Sequence, residues 1–189
     1  MKKYKKETAQ IKFWRDKIGE AYSNKNGDLD KKPRHQLRPI FFNLFKDIPK
    51  TAKILEVGCN IGRNLKSLKD LGFSNLHGIE ISPYAVKKAK ELYPFLRGKI
   101  SEGSALELPY LDNSFDVIFT CGVLIHIHPN DLKTVMKEIN RCSSSAILGY
   151  EYCNFNKIEP TNYGTYRGED EVCFYANYFE LYKRNLQAS

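Results

Sequence analysis

No apolar run in this chain of 189 residues approaches the ~20 residues of a membrane span. The opening Met1-Lys2-Lys3-Tyr4-Lys5-Lys6 also lacks the apolar stretch that a secretory signal needs. The five cysteines (Cys59, Cys121, Cys142, Cys153, Cys173) are odd in number and nowhere form Cys-x-x-Cys. No cysteine or histidine cluster has metal-ligand spacing. These absences set the expectations of a protein with no membrane segment and no metal, with reduced thiols, in a cytoplasmic setting. What is present is ordinary for a globular chain: hydrophobic residues at 42% and charged residues at 28%. The length suits one domain that buries roughly 70% of its unfolded surface.

The most informative stretch is Ile54-Leu55-Glu56-Val57-Gly58-Cys59-Asn60-Ile61-Gly62-Arg63-Asn64. An apolar run enters a carboxylate and a pair of glycines, and a helical pattern follows at once. That pattern describes a buried parallel strand turning sharply into a helix, with its backbone bared to a nucleotide-like ligand. Gly58 permits the tight turn and Gly62 allows close packing of the next helix. Glu56 departs from an ordinary dinucleotide loop, because a carboxylate there repels a pyrophosphate. It suits a ligand carrying an ammonium and a sulfonium, a description that S-adenosylmethionine meets and NAD does not. Asn75-Leu76-His77-Gly78-Ile79-Glu80 then reads as a short strand ending in an acid, 22 positions beyond Gly58. That is where a ribose-binding carboxylate belongs in a βαβ nucleotide site.

A third element falls in order: Gly103-Ser104-Ala105-Leu106-Glu107-Leu108-Pro109-Tyr110, then Asp112-Asn113-Ser114 and the strand Phe115–Thr120. Together these motifs resemble a class I S-adenosylmethionine-dependent methyltransferase over residues 50–152. The resemblance implies that Ser104 and Ala105 flank the adenine, and that Ile81, Leu106 and Cys121 join the cofactor site. Ser104 stands where many relatives carry Asp, and Asn60 where the family has its middle glycine. Asn tolerates a left-handed backbone better than other non-glycine residues, so the loop is expected to survive.

A narrower match rests on Phe13-Trp14-Arg15 with Gly19 and Tyr22, on Leu55 to Gly62, and on Gly122-Val123-Leu124-Ile125-His126-Ile127-His128-Pro129. Glu151-Tyr152 and Tyr166-Arg167-Gly168 complete it. It is similar to the pseudaminic acid biosynthesis-associated methylases, which implies a sugar-pathway setting and an acceptor that is a sugar or sugar-derived acid. The same resemblance implies that the first helix folds over the cofactor as a lid. Tyr22 would then touch the methionine end, and Arg15 or Arg63 would pair with its carboxylate. Core packing is the other reading of Trp14 and Tyr22.

The net charge of +8 raises nucleic acid as a partner. Much of it lies in the first six residues and in Lys31, Lys32, Arg34 and Arg38, which read equally as solvated helix faces or as groups receiving an anionic acceptor. The strand ending at Thr120 runs into Cys-Gly-Val-Leu, without the Asn/Asp-Pro-Pro-aromatic loop of amino-methyltransferases acting on bases. An RNA methyltransferase is therefore the third reading, behind a small-molecule enzyme and a noncatalytic or truncated cofactor-binding protein.

Periodicity predicts helices over 8–24, after Pro39, after Gly62 to Leu71, from Pro83, from about Asn130 and over Tyr178–Leu186, with a turn at Asn26-Gly27-Asp28. Strands are predicted over 53–58, 75–80, 99–102, 115–120 and 145–151. The alternation implies a Rossmann-like α/β fold with parallel order 3-2-1-4-5. Residues 1–48 form a helical lid within the same domain, and residues 49–189 the cofactor-binding part. Only 38 residues follow Glu151, and they show no second hairpin. Strands six and seven are thus expected to be missing or replaced, leaving strand five as an edge for a second copy or partner chain.

Candidates for the chemistry lie at the strand ends. His126 is the first choice of general base, its alternative being to shape the cofactor pocket. Glu151 and Tyr152 are read as positioning the acceptor or accepting its proton, or else as anchoring the loop. His128, ahead of Pro129, is read first as structural and second as an acceptor contact. Arg167 is read as a clamp for an anionic acceptor.

Overall fold

The computed structural model describes residues 9–29, 38–162, 164, 166 and 173–187. Helices α1 (Ala9–Arg15), α2 (Lys17–Leu29) and α3 (Arg38–Phe45) precede a sheet of five parallel strands. These are β1 (Ile54–Val57), β2 (Leu76–Glu80), β3 (Ile100–Glu102), β4 (Phe115–Cys121) and β5 (Ser143–Tyr150). Their order is β3-β2-β1-β4-β5, with Val57 opposite both Ile79 and Thr120. The crossovers carry α4 (Arg63–Asp70), α5 (Pro83–Leu92) and α6 (Pro129–Cys142). This is the Rossmann-like order expected from the alternation of strands and helices, with the switch point between β1 and β4.

Successive strand residues point to opposite faces, and two cores result. Ile54, Leu76, Val117 and Phe119 pack with Leu65 and Leu68 of α4, Val86 and Ala89 of α5, and Phe41 and Phe45 of α3. Leu55, Val57, Ile79 and Ile118 pack with Leu132, Val135, Met136 and Ile139, the apolar stripe of α6. Phe119 meets Phe41 and Phe45 edge-on, at ring centroid distances of 5.7 and 5.3 Å, which ties α3 to the middle of the sheet.

Three expectations are corrected. The helix over 8–24 bends at Asp16 into α1 and α2. The bend brings the backbone so tight that a Cβ on Gly19 would lie 1.7 Å from the Trp14 carbonyl oxygen, so glycine is required there. Asn26-Gly27-Asp28 is not a turn, because α2 stays helical to Leu29. The cost of one glycine in a helix, about 1 kcal/mol, is not enough to end it. The tail after Glu151 does hold a hairpin-like pair, β6 (Thr161–Asn162) against β7 (Phe174–Tyr175), antiparallel and separate from the main sheet. α7 (Tyr178–Gln187) then packs on α6 through Tyr178 and Leu181 in the second core. Among the described residues no strand pairs with the outer edge of β5. The first six residues and Lys31, Lys32 and Arg34 lie outside the described residues.

No described helix is long and apolar enough to cross a membrane. Among the described residues no group of three or more His, Cys, Asp or Glu side chains could hold a metal ion, and the five cysteines are free.

Phe119→Ala is expected to cost about 3–5 kcal/mol, because it opens a cavity between β4 and α3. Leu111→Ala, at a site 82% exposed, is expected to stay within about 0.5 kcal/mol of the parent. Urea unfolding of both variants checks the contrast.

Candidate active site

One cavity opens at the carboxyl ends of the strands, where β1 and β4 diverge. Its floor is the loop after β1. Gly58, Asn60 and Gly62 all have positive φ (72°, 45° and 79°), so the chain turns three times within five residues. The Gly58 and Cys59 amides both donate to the Ile79 carbonyl, at 2.8 and 3.1 Å, locking the loop to β2. Gly58 is also pinned by space, since a Cβ there would stand 2.6 Å from the Val123 side chain.

Two buried carboxylates sit beneath this loop. Alternation along β1 turns Glu56 to the α4 side, where Asn64 Nδ2 donates to its Oε1 at 2.6 Å. Among the described residues Oε2 accepts nothing, although it is buried. Burial raises the Glu56 pKa well above the ordinary carboxylate range; the Asn64 hydrogen bond opposes this and the charge of Glu80 adds to it. Glu80 closes β2 and is better served. Its Oε2 accepts from the Asn60 amide at 2.8 Å and its Oε1 from the Ser82 amide at 2.9 Å. Burial still raises its pKa, against those two amides and that of Ile81.

The third wall is the turn after β3. Ser104 Oγ accepts from the Leu106 amide at 3.2 Å, so this serine shapes its own turn. The segment that follows is clamped to α6. Arg141 donates to the carbonyls of Leu108 and Tyr110 and to Glu138 and Asp112, while Glu138 accepts from the Leu108 amide.

The fourth wall is the segment after β4, Cys121 to His128. Glu151 Oε1 accepts from the Val123 amide at 3.0 Å. Burial raises the Glu151 pKa, against the lowering influence of the Val123 amide, the Thr120 hydroxyl and the Leu124 and Ile125 amides, and its Oε2 is buried without a hydrogen-bond partner. Glu151 thus caps the short 3-10 turn Leu124–His126. The His126 ring packs on Trp14 at a centroid distance of 4.4 Å and on Tyr166 at 5.1 Å. Trp14 in turn meets Tyr22 edge-on at 5.3 Å.

Of the residues singled out from the sequence, Trp14, Tyr22, Gly58, Asn60, Arg63, Glu80, Ile81, Ser104, Ala105, Leu106, Cys121, His126 and His128 all line this one cavity. Glu56 stands behind its wall, and Gly62 caps α4 with no Cβ room, 2.5 Å from Leu96 Cδ1. Arg15 pairs with Asp16 at 3.2 Å and does not line the cavity. His128 is the N-cap of α6, its Nδ1 accepting from the Asn130 amide at 3.2 Å. Glu151 and Tyr152 are not brought to the cavity: Glu151 holds the loop behind it. Tyr152 is 67% exposed and stacks on Tyr175. Arg167 lies outside the described residues.

Sequence reasoning passed over Asn64 and Asp131. Asn64 follows Glu56 by 8 positions, the interval at which a strand-turn-helix brings an amide back to the strand tip. Asp131 in the first turn of α6 reads as a solvated helix start, yet it is 7% exposed and lines the cavity.

Residues 55–145 match the family described as a methyltransferase domain. Over 96 residues the chain is 40% identical to a 2-methyl-6-phytyl-1,4-hydroquinone methyltransferase of Synechocystis sp., covering 50% of this chain and 29% of that protein. It is 33% identical over 112 residues to ajmaline N-methyltransferase of Rauvolfia serpentina, covering 56% and 38%. The chain spans about a third of the length of these curated relatives. Among solved structures, a protein of Pyrococcus horikoshii OT3 superposes with a TM-score of 0.52 at 26% identity, over 61% of this chain and 53% of that one. The [4+2]-cyclase SpnF superposes with a TM-score of 0.60 at 18% identity, over 80% and 56%. A cyclase on this architecture means that the fold alone does not name a reaction.

The half-satisfied Glu56 makes the ligand-free site costly. Its folded-state pKa lies above the unfolded value, so the folded form holds a proton that the unfolded chain has already released. The cost is absent in acid, below the unfolded pKa, grows as pH rises from there toward the folded value, and levels off above it. Glu56→Gln should therefore raise the Tm of the ligand-free protein at pH 7. The advantage should vanish below the ordinary carboxylate range, as thermal unfolding across pH will show.

Proposed function

We propose that this chain, which carries a class I S-adenosylmethionine-dependent methyltransferase domain, transfers a methyl group from that cofactor to a small-molecule acceptor. The observation that best supports the reading is the pair of buried carboxylates at adjoining strand tips, one with an unused oxygen. Burial disfavours the charged form of both, their mutual repulsion adds to this at Glu56, and a ligand with net positive charge favours that form. A dinucleotide with its pyrophosphate would do the opposite.

The described residues fit the cofactor part by part. Glu56 Oε2 is a buried acceptor in want of a donor, which the ammonium supplies, and Trp14 Nε1–H is a buried donor in want of an acceptor. Trp14 Nε1–H and Arg63 suit the cofactor carboxylate. Glu80 suits the ribose hydroxyls, and the turn Gly103–Leu106 suits the adenine. The bound cofactor supplies a methyl carbon already activated by a sulfonium. What remains for the chain is orientation and exclusion of water, with alignment alone worth up to about 7–11 kcal/mol of the barrier. His126, on the β4 side of the same cavity, takes the acceptor proton as the acceptor attacks, with Glu151 positioning it through the capped turn.

The finer reading, a sugar or sugar-derived acid methylated at oxygen or nitrogen, rests on the narrower resemblance and would use His128 and Arg167 at the acceptor. The names of the relatives, a hydroquinone and an alkaloid methyltransferase, widen the acceptor screen to apolar ring compounds.

Calorimetry with S-adenosylhomocysteine should show binding that Glu80→Gln weakens on the order of ten- to a hundredfold, the worth of a lost charge-assisted hydrogen bond. No binding by the parent would sink the reading. With an acceptor found by a labelled-methyl screen, His126→Ala should lower kcat by roughly 10²–10⁴-fold while leaving product affinity nearly unchanged. A fall in affinity with kcat preserved would assign His126 to the pocket wall, and binding without turnover on any acceptor would favour a noncatalytic protein. Methylation of bulk RNA would move the acceptor class.

Because the cofactor ammonium favours the ionised form of Glu56, binding should release a proton at pH values below the raised pKa of that group. Titrations in two buffers of different ionisation enthalpy should show this release, and Glu56→Gln should abolish it.

A further inference from the structure

Asn60 does more than tolerate a left-handed backbone. Its amide donates to Glu80, and its side chain reaches the other way: Nδ2 donates to Ser23 Oγ on α2 at 3.0 Å. Ser23 is fully buried, and its hydroxyl proton is committed to the Gly19 carbonyl at 2.8 Å. The hydroxyl oxygen is therefore an acceptor toward Asn60, and the donor–acceptor sense of the relay is fixed. Gly19 is the residue packed against the Trp14 carbonyl at the bend between α1 and α2. A continuous path thus runs from Glu80 through Asn60, Ser23 and Gly19 to Trp14, whose ring covers His126.

The neighbouring residue makes a second attachment. Asn24 Oδ1 accepts from Tyr84 Oη at 2.6 Å and from Lys88 Nζ at 2.5 Å, fastening α2 to α5. Those bonds are exposed and worth little, whereas the Asn60–Ser23 bond is shielded by a buried hydroxyl. The arm α1–α2 carries Ile11, Trp14 and Tyr22 into the cavity lining, so its position decides whether that wall exists.

We propose that the Asn60 side chain is a positioning latch, which holds the α1–α2 arm over the cavity through Ser23 and couples closure of the arm to the carboxylate of Glu80. A glycine at position 60 satisfies the backbone and leaves the arm untied. For the identity of the ligand the proposal rests on the methyl-donor reading; the closed arm itself does not depend on it.

Asn60→Gly is the discriminating variant, because it keeps the positive φ and the amide to Glu80 and removes only the side chain. Trp14 is the only tryptophan in the chain, so its fluorescence reports the arm directly. In the ligand-free protein, acrylamide should quench Trp14 more strongly in Asn60→Gly than in the parent. Dissociation of S-adenosylhomocysteine should quicken on the order of fivefold, the worth of one net hydrogen bond. Ser23→Ala should reproduce both changes, and the double variant should add little to either single one. Quenching and dissociation at parental values in either folded single variant would overturn the latch, as would fully additive effects. If the parent binds no S-adenosylhomocysteine the functional reading falls, and the quenching series still decides the latch.

Discussion

A carboxylate buried at the tip of the central strand is the constraint around which the rest of the site is arranged. Every residue of β1 is buried, so Glu56 has no route to water. A charge in such a place is tolerated only with partners, and the chain supplies one amide, Asn64, for two oxygens. Helix α4 begins where it does because Gly62 turns left-handed just ahead of it, which brings Asn64 back over the strand it has left. Oε2 of Glu56 is thereby left a buried acceptor to spare.

Glu80 shows the contrasting solution one strand away. Backbone amides meet both of its oxygens, so its orientation is set before any ligand arrives. One carboxylate is oriented by the main chain and the other is held by a single side chain. Orientation suits hydroxyls, which must be met at defined angles, and an unspent acceptor suits an ammonium, which brings its own charge.

Much of this was legible in the sequence because it follows from local rules. The apolar run before Gly58, the acid at the end of β2 and the helix from about Asn130 each follow the pattern of their element. The left-handed Asn60 was legible from the resemblance, which puts a glycine there, together with the tolerance of Asn for that backbone. What escaped depends on distance through space. Asn26-Gly27-Asp28 carries turn chemistry, yet the helix runs through it. The β6–β7 pair is two residues a side, too short to show any periodicity. Asp131 looks like an ordinary acid at a helix start, and only the packing of α6 against the sheet places it in the cavity wall.

Glu151 and His126 each carried two readings for the same reason, and the chain places them differently. Both follow strands whose ends face the cleft, so sequence position makes them equal candidates for proton transfer. The chain returns Glu151 beneath the loop after β4, where its Oε1 accepts from the Val123 amide. Its second oxygen is buried without a hydrogen-bond partner, but Glu151 does not line the cavity and so does not reach an acceptor there. The turn it caps ends at His126, which does face the cavity. The two residues therefore stand in series: one fixes the backbone, and the other presents a ring to whatever lies beneath Trp14.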